Sequence, residues 1–292
     1  MIPFLDGRRP ARTLYDAVSE RSAAVVIRRY SSSFGLASLL LSAPVRTDVR
    51  NVYALVRVGD EIVDIPDPAL GRKPRERMLT WLQEDVHQAL ETGYSGNLVV
   101  HAFARTAIRC GIGTELIDPF FASMRMDLDT TVHTHESFER YVYGSAEVVG
   151  LMCLRVFLAD EPARGRDHDR LAPGAQRLGA AFQKLNFLRD LAEDRDTLHR
   201  CYFPNLDVDR FNDADRDGIL DDIDADLDAA ADVIPGLPTS SRRAVRAAHA
   251  TFAELGARLR VTPAAEIRRT RVRVPDPVKL RVLAGALYRG RA

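Results

Sequence analysis

Lysine is nearly missing from this sequence: only Lys73, Lys184 and Lys279 occur, so arginine carries almost all of the positive charge. Arginine differs from lysine in gripping carboxylates and phosphates through a planar fork of donors. Neither sign of charge is in excess, with 41 basic residues against 41 acidic ones, and no global field favours nucleic acid or an anionic membrane. Cysteine is scarce and odd in number. Cys110, Cys153 and Cys201 are widely spaced, which excludes a disulfide framework and points to a reducing compartment. No basic-then-apolar leader opens the chain. The best apolar run, GLASLLLSAPV at 35–45, falls far short of the roughly 20 residues needed to span a bilayer. A soluble, cytoplasmic protein is expected. Strand signals are also scarce, since no Asn-Gly or Asp-Gly turn sits between alternating apolar runs.

What is present is helix. The chain of 292 residues is 46% apolar, enough to bury a large core. VRNVYALVRVGDEIVDI (49–65) repeats apolar residues at helical spacing and stops at Pro66. RERMLTWLQEDVHQALETG (75–93) is amphipathic and ends at a candidate Gly93 cap. NLVVHAFARTAIRCG, ELIDPFFASMRMDL, SFERYVYGSAEVVGLMCLRVFLA and AQRLGAAFQKLNFLRDLAED follow in the same style, with proline common between segments and rare inside them. Internal repeats and low-complexity linkers are missing. The reading is all-α, a single domain over 1–292 with about ten or more helices.

Two polar stripes interrupt the apolar pattern. In QKLNFLRDLAED (183–194), Gln183, Asn186, Asp190 and Asp194 fall within roughly 80° of one another on a helix. In NVYALVRVGDEIVD, Tyr53, Arg57, Asp60 and Asp64 fall within about 60°. Like charges four apart weaken an isolated helix by about 0.2–0.5 kcal/mol. Two buried helices that both turn Asp-x-x-x-Asp inward need cations between them. Hard divalent ions take carboxylate and amide oxygens, and Mg²⁺ in particular keeps waters and binds substrate phosphates. Asn186 adds an oxygen, while Arg57 and Arg189 can hold the remaining phosphate charge. The inferred site is a Mg²⁺–diphosphate clamp.

The Asp-x-x-x-Asp spacing alone is weak, because Asp209/Asp213, Asp213/Asp217 and Asp217/Asp221 share it within a generally acidic stretch. DADRDGILDDID (213–224) also matches much of a calcium loop, through Asp213, Asp215, Asp217, Gly218 and Leu220. Its twelfth place is Asp224 instead of Glu, and the preceding CYFPNLDVDRFN does not read as a helix. A polar connector is expected there, followed by a helix that Asp221 or Asp222 helps to start. A non-catalytic calcium-binding protein is the alternative from another class. His133 and His135 are expected in a surface turn, with no third ligand near them. CGIGTEL lacks the third glycine and preceding strand of a dinucleotide fingerprint.

With the stripes assembled, the chain resembles the squalene and phytoene synthases, which join two isoprenoid diphosphates head to head. The resemblance runs from about 20 to 285 and rests on YSSSFGLASLLL (30–41), YALVRVGDEIVD (53–64), YVYGSAEVVG (141–150) and LGAAFQKLNFLRDLAEDRDTLHRCYFP (178–204). The tail RRTRVRVPDPVKL (268–280) is similar to that of bacterial phytoene synthases. It implies an isoprenoid-synthase-type helical bundle around a central cavity. By position it places metal ligands at Asp60, Asp64, Asn186, Asp190 and Asp194. Substrate contacts fall at Tyr30, Ser31, Ser32, Ser33, Tyr53, Arg57, Gln183 and Arg189, with Tyr141 lining the cavity. Mg²⁺ is the implied cofactor, Mn²⁺ the substitute, and no NADPH is expected. Implied partners are the isoprenoid diphosphate, a downstream phytoene desaturase and, through a lipid product, peripheral membrane contact; nucleic acid is not among them. A terpene cyclase would share the clamp but not two matching stripes. A dehydrosqualene or squalene synthase acting on farnesyl diphosphate is the alternative within the family.

Four departures stand out against the family pattern. Glu147 takes a frequent glycine place, and Lys184 replaces an apolar residue beside Gln183, where it is expected to snorkel or reach a phosphate. His199 holds the glycine place of the loop before CYFP, and Phe252 stands where many relatives have tyrosine. Chain length is read from SSSFGLASLLL, in which Phe34, Ser38 and Leu41 share a face. Ser38 lies roughly 6 Å below the serines. A small residue there leaves room for a twenty-carbon tail, so geranylgeranyl diphosphate and phytoene are the expected substrate and product.

Overall fold

The computed structural model describes residues 12–65, 70–161 and 164–288, the side chains at 32–34, 164, 166 and 286–288 excepted. Helices account for most of it. Among the described residues no strand forms, only a bridge between Val132 and Cys201.

Helix starts follow the sequence's own caps. α1 (Leu14–Tyr30) begins at Thr13, whose hydroxyl accepts from the Asp16 amide while the Asp16 carboxylate accepts from the Thr13 amide. α2 (Ser32–Ser38) is short, and α3 (Ala43–Val63) opens with a proline in its first turn. α4 (Arg72–Thr92) stops where expected, at Gly93 with φ 76°. α5 (Leu98–Cys110) is capped by Asn97, and α6 (Thr114–Met126) starts after Gly113. CGIGTEL is thus a helix–helix turn. α7 (His135–Val142) and α8 (Val148–Leu158) are one rod joined by a π-helical turn at Tyr143–Glu147. α9 (Arg164–Arg189) and α10 (Leu191–Asp196) are separated at Asp190. α11 (Asp213–Val233), α12 (Thr239–Val261), the single turn α13 (Ala264–Ile267) and α14 (Asp276–Tyr288) complete the chain.

Two apolar clusters organise these helices. One joins α3 to α6 and α8 through Val52, Leu55, Leu79, Phe103, Phe120 and Met152. The other gathers α9, α11 and α12 through Leu185, Leu188, Ile223, Leu255 and Leu259. α9 crosses the α7–α8 rod at very short range. A Cβ on Gly150 would sit 2.4 Å from the Ala175 carbonyl oxygen, and one on Gly179 would sit 2.5 Å from that of Ala146. Side chains larger than hydrogen are therefore excluded on both sides of the crossing. The rod from His135 to Leu158 is long and apolar enough to cross a bilayer, an apolar stretch longer than the run at 35–45. Its apolarity serves packing, since 56% of the apolar window is buried against the rest of the molecule.

Several expectations need correction. α3 starts six residues before position 49 and ends at Val63, and Pro66 lies outside the described residues. Proline also occurs within helices, at Pro119 and Pro173. The 213–224 stretch is neither a calcium loop nor a connector. Asn212 caps α11 and forms a reciprocal pair with Asp215, so the segment is helical from Asp213 onward, Gly218 included. Its acids are paired with arginines: Asp213 and Asp217 with Arg216, each at 2.9 Å, and Asp221 and Asp224 with Arg260 at 2.9 and 2.8 Å. A calcium loop needs those oxygens to converge on one point, and a helix spreads them around its axis. Asp213→Asn with Asp217→Asn is expected to leave turnover within a few-fold. A calcium isotherm in calorimetry that these changes abolish would overturn that assignment.

Candidate active site

A cavity of about 970 Å³ runs between α2, α3, α8, α9, α11, α12 and α14. Its walls are mainly apolar and aromatic, with Val52, Val56, Val149, Phe157, Phe182 and Leu255 among them. One end is acidic. Both stripes line it: Tyr53, Arg57, Asp60 and Asp64 from α3, and Gln183, Asn186, Arg189, Asp190 and Asp194 from α9 and α10. Tyr30, Ser31, Ser38 and Tyr141 line it as well, while the side chains of Ser32 and Ser33 lie outside the described residues.

The second stripe does not ride on one helix, as its spacing suggested. The backbone leaves helical geometry at Asp190 (φ −99°, ψ 10°), nearly the dihedrals of Asp64 at the end of α3 (φ −99°, ψ 9°). Each stripe still keeps an i to i+4 bond, from the Asp64 amide to the Asp60 carbonyl at 3.0 Å and from the Asp194 amide to the Asp190 carbonyl at 2.9 Å. The four carboxylates therefore stay in register despite the break.

Two residues that sequence reasoning missed join the stripes. Arg200 is buried, and its Nη1 donates to Asp64 at 2.8 Å and lies 3.3 Å from the Tyr202 hydroxyl. Its Nη2 donates to the carbonyls of Val63 (3.2 Å) and Asp127 (3.0 Å), and its backbone amide donates to the Asp194 carbonyl at 2.9 Å. One residue thus holds both acidic stripes. Burial works against its charge, but Asp127, Tyr202 and Asp64 outweigh that and raise its pKa. Asp127 ends α6 and accepts from Tyr141 at 2.7 Å and Tyr202 at 3.1 Å. A third omission is Arg271. It lies in the quoted RRTRVRV segment and donates to Asp190 through Nη2 at 3.2 Å, with Nε 2.9 Å from the same carboxylate. Neither Arg200, an isolated arginine before CYFP, nor Asp127 had a sequence signal nearby.

Tyr30, Ser31, Tyr53 and Arg57 form the other lip. The Arg57 guanidinium lies 4.5 Å from the centre of the Tyr30 ring and is paired with Glu61. Burial raises the Tyr53 phenol above its usual range, against a hydrogen bond with Ser31 and the charge of Arg57. Arg189 is engaged with its neighbour Asp190 through Nε at 2.8 Å.

The departures resolve in different ways. Lys184 neither snorkels nor reaches the cavity: its ammonium is buried against α11, 2.5 Å from Asp222 and 2.8 Å from Asp226. Glu147 accepts from Gln176 at 3.1 Å. His199 has φ 54°, the left-handed conformation that explains glycine at that place. Phe252 stacks on Phe182 in the cavity wall, with centroids 3.8 Å apart. His133 is not in a surface turn but buried, stacked on Tyr202 with centroids 5.7 Å apart; His135 pairs with Asn205 at 3.2 Å.

The carboxylates are crowded. Burial, then Asp64, pushes Asp60 up to about 7; burial, then Asp190, pushes Asp194 up to about 8; burial, opposed by Arg200, leaves Asp127 at about 6. The oxygen donors at this end are carboxylates and the amides of Gln183 and Asn186, the hard set that suits Mg²⁺. Among the described residues no three His, Cys, Asp or Glu side chains form a closed cage.

The raised values have a sign. An unfolded carboxylate titrates near 4, so the folded chain holds extra protons between about pH 4 and 8, and stability is lost as pH rises through that window. Thermal stability without divalent cation is expected to fall from pH 5.5 to 8.5. Asp194→Asn should flatten the fall, and added Mg²⁺ with inorganic diphosphate should restore stability most at the alkaline end. A melting temperature that rises across this range would contradict the crowding.

Comparison with known proteins agrees with this geometry. Residues 27–277 match the family described as squalene/phytoene synthase. The chain is 27% identical over 279 residues to the 15-cis-phytoene synthase of Enterobacter agglomerans, covering 88% of this chain and 90% of that one. It is 26% identical over 196 residues to the bifunctional lycopene cyclase/phytoene synthase of Blakeslea trispora, covering 61% of this chain and only 31% of that longer protein. Among solved structures, a dehydrosqualene synthase superposes with a TM-score of 0.79 at 20% identity, over 94% of this chain and 98% of the other. With these matches and its paired acidic stripes, the chain belongs to the squalene/phytoene synthase family.

Proposed function

We propose that the protein joins two molecules of geranylgeranyl diphosphate head to head, forming phytoene and releasing both diphosphates. The observation that carries this reading is a long apolar cavity whose one acidic end gathers both stripes. From Asn186 to Leu171, both lining it, α9 advances 15 residues, or about 22 Å at 1.5 Å per residue. That length suits a twenty-carbon tail.

Asp60, Asp64, Asn186, Asp190 and Asp194 would hold Mg²⁺, with Mn²⁺ as a substitute. When bound, the ion supplies positive charge to the departing diphosphate. Arg57 and Arg189 line the same end, where they would take further phosphate charge in exchange for their present partners Glu61 and Asp190. The carbon–oxygen bond of the first substrate breaks and leaves an allyl cation. The double bond of the second attacks it, a proton is lost, and a cyclopropyl diphosphate results. That intermediate ionises in turn and rearranges to join the two head carbons; a second proton loss ends the sequence without a reductant. The apolar walls keep water from the cations, which would otherwise end as alcohols. Tyr141 is tied to Asp127, so its role is to hold the wall beside the acids. The proposed setting is the cytoplasm, with the hydrocarbon passed to a desaturase.

Ser38 is buried, lines the cavity, and its hydroxyl is satisfied by the Gly35 carbonyl at 2.7 Å. It therefore offers space and no polar hook. Ser38→Phe is expected to shift preference from the twenty-carbon towards the fifteen-carbon diphosphate by about tenfold, the scale set by a few methylenes in an apolar pocket. The test of the whole reading supplies both diphosphates with Mg²⁺, without and then with NADPH, and identifies the extracted product. Dehydrosqualene or squalene as the main product would defeat the phytoene assignment and leave the family intact.

A further inference from the structure

Zero net charge conceals a local imbalance on the far side of α1. Leu14, Val18, Arg21, Val25 and Arg28 fall within about 80° of one another on that helix, and all are exposed. Leu14 is 81% exposed and Val25 46%, so among the described residues nothing covers this face. The opposite face of α1 packs on α3 and α5 through Asp16, Ala23 and Ile27. Where α1 ends, α3 adds Arg46 and Arg50, four residues apart on one face.

Arg28, Arg46 and Arg50 stand close together with no carboxylate among them. Among the described residues none of these side chains, nor those of Arg21 and Arg29, makes an ion pair or hydrogen bond. The Arg50 Nε is also shielded from water. Burial, and after it the like charges of Arg46 and Arg28, lowers the Arg50 pKa. Arginines elsewhere on this surface, such as Arg72, Arg170 and Arg260, each have acidic partners.

We infer that the α1–α3 face is a docking surface for an anionic lipid bilayer, with the arginines on headgroup phosphates and Leu14, Val18 and Val25 in the interface. Both halves of the requirement are met on one stripe: apolar side chains to enter the headgroup layer and cations to draw it in. Tyr30, at the end of the same helix but on its other side, lines the cavity. The inference does not depend on which hydrocarbon the enzyme makes, because docking is read without turnover.

The test floats the full chain with vesicles of phosphatidylcholine alone and with added phosphatidylglycerol. Binding is expected to the anionic vesicles only, weakening with salt. Each arginine near such a surface is worth about fivefold, so Arg28→Gln, Arg46→Gln and Arg50→Gln together should weaken binding by about 100-fold. Val18→Ser with Val25→Ser should weaken it about tenfold. Turnover of detergent-dispersed substrate should stay within a few-fold in both. If the triple variant loses its helical circular dichroism, Arg21→Gln with Arg28→Gln, both on the exposed stripe, is read instead, with about 25-fold loss. Equal affinity for neutral and anionic vesicles, an unaffected arginine variant, or full displacement by inorganic phosphate at matched ionic strength would each overturn the inference.

Discussion

Asp60→Asn is expected to lower turnover at least about 100-fold while the chain stays folded, the usual scale for losing a principal charge-stabilising group. Asp60 is one of the clamp carboxylates, and burial with Asp64 beside it already strains its charge. Asparagine keeps the shape and one oxygen but removes the negative charge that would attract a divalent ion. Stability should rise slightly at alkaline pH, since a crowded carboxylate is gone. Loss of activity with unchanged or raised melting temperature therefore separates a chemical role from a structural one. Asp190→Asn should match it in rate but not in stability, because Asp190 also anchors Arg189 and Arg271. Near-wild-type turnover in either variant would sink the clamp.

Arg200→Leu should be the most destabilising single change at the site. It leaves Asp127 and Asp64 without their shared cation and frees the carbonyls of Val63 and Asp127 from a donor. Breaking a buried pair by removing one partner costs about 3–5 kcal/mol. Urea denaturation measures it, and the deficit should grow from pH 5.5 to 8.5 as the abandoned, buried Asp127 is forced to ionise. Arg200→Lys should recover part of the loss, since one ammonium cannot reach all of these acceptors. A change below about 1 kcal/mol for Arg200→Leu would show that water or a neighbouring arginine replaces it.

The acidic stripes were legible because local rules conflict there. Carboxylates four apart on otherwise apolar helices make no sense as a solvated face, and periodicity says which neighbours share their side. Arg200 and Asp127 carry no such conflict. Their partners are 136 and 73 residues away, and an isolated arginine before CYFP or an aspartate after a helix looks ordinary. Lys184 misled for the same reason, since Asp222 and Asp226 are supplied by another helix. His133 sits among polar residues, yet the fold buries it under Tyr202. At 213–224 the spacing imitated a calcium loop, but a good cap at Asn212 and arginines at the right intervals favour helix. Helix rotation was the missing quantity for Ser38, and the third dimension supplied it.

The π-helical turn at Tyr143–Glu147 carries one residue more than an ordinary helical turn would. Upstream, Tyr141 must meet Asp127; downstream, Gly150 must meet Ala175. An extra residue in an unbroken α-helix turns everything beyond it by about 100°, and the wide turn absorbs that rotation, so both contacts are kept. Removing one residue from the turn should therefore leave an ordinary helix with both faces in register. Removing a second has no such reserve, and it turns the phenol from its carboxylate or drives a side chain into the α9 backbone. Gene variants shortened here by one residue should fold, and those shortened by two should not.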